Sequence, residues 1–283
     1  MNKYRFNNSL DEKGNPQHLH QLWSESDEEF KNLTGTSSVV DVLGKPLTWW
    51  ASGLACAKLG WIKKADTRKS TKEEISENDN LRIESAELWR EKIWTMSPLD
   101  YLKLLDEAYK AHSEKTDKAK DEGTELHERL ELAVKMMMDG VKVISSPEPK
   151  VMEFVKWAET NVKRFLWSEM NCYSSFHFIG GISDAGAELN DGSIALIDFK
   201  SAREAYFSHF VQTAGYAIQI EENGGYNAKG EKVFTPEKPI TKYIVFPFGM
   251  KKLEPTINLN TSGMKRAFLG ALAIYREKGI WES

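Results

Sequence analysis

An α/β fold with a helical N-terminal half follows from three features of the sequence. Apolar residues recur at helical spacing in most segments from Ser37 to Thr160. After Phe165 the period shortens to two through three consecutive segments, and a helix, a buried strand and a closing helix come after them. Asn190-Asp191-Gly192 supplies a hairpin turn between the second and third of those strands.

Residues 1–34 are polar and mixed, and are expected to form an arm ahead of one domain over 35–283. That domain divides into a mostly helical part, 35–160, and a sheet-containing core, 161–283. Ser37 to Trp61 reads as helical. Ser37 or Ser38 caps, Val39, Val40, Val42 and Leu43 follow, and Gly44-Lys45-Pro46 breaks the run. Trp49, Leu54, Ala57 and Trp61 resume the helical spacing. Residues 63–82 are dense in charge and read as a solvated loop or helix face. Ala86 to Ala111 is helical, with Pro98 opening a new segment whose stripe is Leu99, Leu102, Leu105 and Tyr109. Asp117 to Met138 is a further helix, interrupted near Gly123, and Lys150 to Thr160 a shorter one. The strands are Phe165 to Tyr173, Ile179 to Leu189, Ser193 to Lys200 and Tyr243 to Phe248. Helices cover Arg203 to Glu222 and Ser262 to Lys278, with a polar connection over 224–238.

Composition narrows the function classes. Of 283 residues, 41% are hydrophobic and 28% charged, an ordinary globular balance. No run of eighteen apolar residues predicts a membrane span. The polar stretch Met1 to Leu10 lacks the apolar core of a signal peptide, so the expected compartment is the cytosol (the host's, for a viral protein). Two cysteines, Cys56 and Cys172, cannot build a four-cysteine zinc or iron–sulfur site. The net charge of −4 neither demands nor forbids a nucleic-acid partner, because binding depends on where the lysines sit.

The chemistry concentrates on the hairpin. A three-residue loop ending in glycine pairs Leu189 with Ser193, and counting back sets Asp184 opposite Asp198. Two carboxylates so placed repel unless a cation lies between them. Lys200 shares a face with Asp198, two residues away. Gly180-Gly181 permits another backbone or a ligand to approach closely. Asp-x-Lys alone carries almost no information. Here it ends the apolar run Ile194-Ala195-Leu196-Ile197, where charge is costly unless used. Gln212 and Tyr216, four apart on the next helix, share a face, and His209 and Gln219 extend it. His127 lies at the edge of the stripe Leu126, Leu130, Val134 and Met137. Glu169 is a strand carboxylate on Leu166-Trp167-Ser168-Glu169-Met170.

Taken in order, Gly123-Thr-Glu-Leu-His127, Glu169, Gly181-Ile-Ser-Asp184, Asp198-Phe-Lys200 and Gln212-x-x-x-Tyr216 resemble the RecB-type exonuclease branch of the PD-(D/E)xK nuclease superfamily. The opening Thr36-Ser-Ser-Val-Val-Asp-Val-Leu-Gly-Lys-Pro46 is similar to that of single-domain phage and mitochondrial members. The likeness covers roughly residues 35–250. It implies a restriction-endonuclease-like core, a mixed sheet flanked by helices. It implies Asp184 and Asp198 as central metal ligands, His127 as an additional one, and Glu169 as ligand or supporting acid. It implies Lys200 as the catalytic lysine, with Gln212 and Tyr216 placing DNA and His209 beside them. The cofactor implied is Mg²⁺ or Mn²⁺, with no iron–sulfur cluster. The partner implied is DNA, single-stranded or with a free end. The chain departs from relatives in its short Phe176-His177-Phe178-Ile179 lead-in. It has no Gly-x-x-x-x-Gly-Lys-Ser/Thr, so a helicase or recombination partner would be a separate chain. Trp49, Trp50 and Trp61 are candidates for base stacking. Lys63-Lys64, Lys163-Arg164 and Lys251-Lys252 are candidates for backbone contact. The rival readings are an endonuclease with the same site, a non-catalytic binding protein and a carboxylate-pair glycosidase. The last needs no Lys200.

Overall fold

The change of period after residue 160 marks the change from helix to sheet. The structure, a computed structural model, describes residues 3–10, 16–44, 48–250 and 252–282. Its contacts divide the chain into two units, Met1–Gly44 with Gly123–Ser283, and Lys45–Glu122.

The first unit contains the sheet. Strand β5 (Val162–Ser174), β6 (Ile179–Leu189) and β7 (Ile194–Lys200) form an antiparallel meander. Helix α6 (Phe207–Asn223) crosses over, and β10 (Ile240–Pro247) then pairs parallel with β7. The polar connection holds two short strands, β8 (Gly225–Tyr226) and β9 (Lys232–Phe234), which extend the β5 edge. Beyond β10 lies β11 (Thr256–Asn258), and α7 (Thr261–Glu282) closes the chain. The result is an α/β architecture around a mixed sheet of eight strands among the described residues.

Two apolar cores sandwich this sheet. Phe210, Val211, Ala214, Ala217 and Ile220 of α6, with Phe268 and Leu272 of α7, pack on Leu196, Tyr243 and Val245. On the other face Leu130 and Val134 meet Phe154 and Val155 of α5 (Pro149–Asn161), over Ala185, Ile197, Phe199 and Phe246. Strand β7 is buried on both faces, which is why it reads as one apolar run.

The described residues of the stretch 1–34, expected as an arm, form strands instead. Strands β1 (Tyr4–Leu10), β2 (Pro16–Ser24) and β3 (Glu29–Asn32) make an antiparallel sheet. Its polarity misled because only a few residues on one face are buried. Tyr4 stacks on Tyr173 at 4.4 Å, and its hydroxyl meets His20 Nδ1 at 2.7 Å. A Cβ on Gly180 would lie 2.5 Å from that of His20, so Gly180 makes room for the imidazole. Strand β4 (Thr34–Gly35) then pairs parallel with the first residues of β6 and leads into α1 (Thr36–Val40) and a 3-10 turn, Asp41–Leu43.

The second unit is helical. It contains α2 (Thr48–Lys58) and α3 (Lys72–Thr95), the latter started by a capping box between Thr71 and Glu74. Helix α4 (Pro98–Met138) begins here and continues into the first unit. The expected interruption near Gly123 does not occur. This glycine serves a close approach, since a Cβ there would lie 3.1 Å from Ser201 Cβ. The break Lys45-Pro46 lies outside the described residues, as do the side chains of Trp49 and Trp50.

Candidate active site

The site forms where the ladder of β6 fails on both sides. Toward β7, pairing runs from Glu188↔Ile194 to Ala185↔Ile197, the expected register. The next pair would be Asp184 and Asp198, and the ladder stops before it. Two buried carboxylates in direct opposition repel, so the strands part there. Asp184 Oδ2 instead accepts the Phe199 N–H at 2.7 Å, replacing the lost strand bond. Toward β5, the pairs Ser168↔Ala185 and Met170↔Ser183 leave Glu169 and Asp184 unpaired between them. Glu169 has φ +45°, a conformation that costs a non-glycine residue about 1–3 kcal/mol and clusters at functional sites.

The alternation of β6 also slips at Asp184. Ile179 and Gly181 face α6, as does Ser183, which accepts from Trp167 Nε1 at 3.1 Å. Ala185, Ala187 and Leu189 face the opposite core. Asp184 at this slip is therefore not on the regular shared face that the spacing predicts. Strand β4 takes the β7-side edge of β6 at Ile179 and Gly180, because β5 occupies the other edge. Strands β4 and β7 thus approach the gap 181–184 from opposite directions.

Side chains from five elements meet there. His127 of α4 bridges Asp184 Oδ2 at 3.3 Å and Glu169 Oε1 at 3.4 Å, with its ring against Phe199. Lys200 Nζ donates to Asp198 Oδ1 at 2.9 Å. Gln212 Nε2 donates to the Tyr216 hydroxyl at 2.8 Å. Tyr216 packs on Gly181, where a Cβ would lie 2.6 Å from its ring. His127 thus joins Glu169 to Asp184, Lys200 joins Asp198, the charges of the two groups act on one another, and Tyr216 lies near the two aspartates.

The electrostatics follow from three acids facing two cations. Burial pushes the Asp198 carboxyl up to about 7, with Lys200 opposing and Asp184 adding to it. Burial would raise Asp184 too, but His127, Lys200 and the Phe199 amide hold it below its ordinary value. Burial pulls His127 down, and Asp184 and Glu169 outweigh it, pushing the imidazole up to about 10. Burial likewise opposes the Lys200 ammonium, and Asp198 and Asp184 hold its pKa above normal. Burial, then the charges of Asp198 and Asp184, raise Tyr216 well above its usual range, so it remains a neutral phenol.

Among the acids of the site one oxygen is left over. Asp198 Oδ2 is fully buried with no hydrogen-bond partner in the structure. Such an atom carries the desolvation penalty of a charged group without compensation. Carboxylate oxygens with an imidazole nearby suit a hard divalent cation such as Mg²⁺ or Mn²⁺. Among the described residues no group of three or more acids, histidines or cysteines is arranged so that it could hold a metal ion. Here Asp184 is turned to His127 and the Phe199 amide, and Asp198 to Lys200. The residues that could hold such a cation are Asp184, Asp198 and Glu169.

Other expected contributors have different roles. His209 caps its own helix, accepting the Tyr206 N–H on Nδ1 at 3.2 Å. Gln219 does not extend a polar surface. It is wholly buried and donates to Thr36 Oγ1 at 2.6 Å and to the Gly215 carbonyl at 2.9 Å, while Thr36 donates to the Gly180 carbonyl at 3.0 Å. This relay pins β4 to β6 beside the gap, and the sequence reading missed it. The visible signal was the spacing 212, 216, 219, one stripe along α6. Phe207 is 57% exposed. Lys163 and Arg164 bind Glu188 rather than standing free, and Lys252 pairs with Glu254. Lys251 lies outside the described residues. Trp61 is 45% exposed on the second unit.

Compared with known proteins, the chain matches no family model and no curated protein. Among the described residues no helix is long and apolar enough to cross a membrane.

Proposed function

We propose that this chain is a divalent-metal-dependent nuclease that hydrolyses DNA phosphodiester bonds, acting on free ends or single strands. The observation that carries the reading is the alignment of Glu169, Asp184 and Asp198 at one level on three adjacent strands, with Lys200 Nζ 2.9 Å from Asp198 Oδ1. The order helix, three-stranded meander, helix, parallel strand supports a restriction-endonuclease-like core.

A divalent cation such as Mg²⁺ or Mn²⁺, when bound, would supply Lewis acidity at the phosphate. Asp184 and Asp198 would hold it, with Glu169 supporting and His127 released from its carboxylate bridge as an additional ligand. Lys200 keeps its proton at Nζ, where an ammonium orients the attacking water and offsets charge developing on the phosphate oxygens. Tyr216, a neutral phenol fixed by Gln212, offers a hydroxyl for the substrate backbone. A glycosidase has no use for the lysine beside its acids.

The test is cleavage of end-labelled linear single-stranded DNA and of a covalently closed circle, with Mg²⁺, Mn²⁺ or EDTA. Metal-dependent loss of the linear strand alone, abolished by Lys200→Ala and by Asp198→Ala, is the expected result. Cleavage of the circle assigns endonuclease action to the same residues. Binding without cleavage of either substrate overturns catalysis.

A further inference from the structure

Immediately after Lys200 the chain is held rigidly and yet presents two aromatic rings to solvent. The Phe248 amide donates to the Lys200 carbonyl at 2.7 Å, and the Gly249 amide donates to that of Ala202 at 2.8 Å. A Cβ on Gly249 would lie 2.7 Å from the Ala202 carbonyl carbon, so the two backbones touch. At the start of α6, Tyr206 and His209 exchange backbone and ring contacts. The His209 N–H donates to the Tyr206 carbonyl at 3.0 Å, and the rings meet edge to face at 5.3 Å. Tyr206 is nevertheless 44% exposed, and its neighbour Phe207 57%. The core stripe of α6 begins at Phe210 and does not use them. A large ring left in water on a fixed backbone forgoes the stabilisation that burial would give.

We propose that Tyr206 and Phe207 form a stacking platform for unpaired nucleobases, so that the enzyme takes its DNA as a single-stranded end. This rests on the nuclease reading of the adjoining site. Phe207 lies five residues from Gln212 on one helix, about 7.5 Å along the axis. Exposed Arg203 on the same segment is offset by exposed Glu204, which bonds the Tyr206 hydroxyl, so the rings rather than charge carry the contact. Aromatic stacking tolerates any base, which suits an enzyme that must read through every sequence. Bases already paired in a duplex are stacked on one another and cannot use the rings.

The experiment is equilibrium binding by fluorescence anisotropy in EDTA, with a labelled single-stranded oligonucleotide and a blunt duplex of the same sequence. Tyr206→Ala/Phe207→Ala is expected to weaken single-strand binding tenfold or more and to leave the duplex within about twofold. Tyr206→Trp/Phe207→Trp is expected to retain single-strand affinity, which separates stacking from a structural defect. Equal weakening on both substrates, or unchanged single-strand affinity, overturns the platform while leaving the nuclease reading standing. A wild-type protein that binds neither DNA overturns both. A double alanine variant that changes the sedimentation coefficient with DNA affinity intact overturns the platform in favour of an interface between copies.

Discussion

The two ends of the same β5–β6–β7 meander each hold a buried acid among cations, and they are built on opposite principles. At the hairpin end Glu188 is surrounded by Lys163 at 3.1 Å, Arg164 at 2.8 Å and Lys238 at 3.9 Å. One carboxylate faces three cations, each largely exposed, and Glu188 itself stays paired with Ile194 on one side and Arg164 on the other. At the other end three carboxylates face two cations, the ladder parts, and one Asp198 oxygen has no partner. Both clusters would read alike as acids near lysines. The ratio separates them: surplus cation satisfies a structural acid, and surplus carboxylate keeps binding capacity for something not yet present.

The largest test of this contrast is catalytic. Lys200→Ala and Asp198→Asn are each expected to lower the cleavage rate at least a thousandfold, measured with Mg²⁺ in excess. Asp198→Asn should at the same time hold or raise Tm in EDTA, because it removes a buried charge that folding disfavours. A lowered Tm would make Asp198 a structural acid like Glu188.

The next effect concerns His20, which packs on Gly180 at the site end. Burial lowers its pKa from 6.5 to about 4. Between those values the unfolded chain binds the proton and the folded one does not, so stability rises with pH across that window. It is complete above about 6.5 and lost as pH falls toward 4, a change of about 3 kcal/mol. Denaturant unfolding of wild type and His20→Gln at pH 4.5 and 7.5 should show the variant losing most of this slope.

Gly181→Ala should destabilise by about 1–3 kcal/mol, because the new Cβ meets the Tyr216 ring and Thr36 Oγ1 at 2.6 and 2.9 Å. It should also cut the rate more than Tm alone explains, since Tyr216 must move. A fall in Tm with normal activity would remove Tyr216 from the site. The smallest effect belongs to the other end. Glu188→Gln should lower Tm by a few degrees and keep activity within about twofold, because its partners are exposed and screened.

Much of the core and of the site was legible in advance. The register from Leu189 and Ser193 held because a three-residue loop with glycine last fixes pairing through backbone geometry. His127 and Glu169 were placed only by likeness, and the structure brings both to Asp184. The N-terminal sheet was not legible, since Tyr4, His20 and Leu33 are buried singly in a polar stretch and give no period. Nor was the role of Gly123, where a residue that weakens isolated helices sits inside a continuous one. Gln219 misled because a polar side chain on an exposed-looking stripe gives no sign of a partner 183 residues away.

The sequence by itself determined the alternation of helix and strand, the hairpin register and the presence of Asp184, Asp198 and Lys200 near one turn. These depend on local geometry, which a few neighbouring residues settle. Only the tertiary structure decided that the ladder parts at Asp184, that Glu169 adopts φ +45° there, and that Thr36 and Gln219 hold the gap beside it. Those outcomes depend on burial and on charge repulsion between distant segments, and neither exists until the chain has packed.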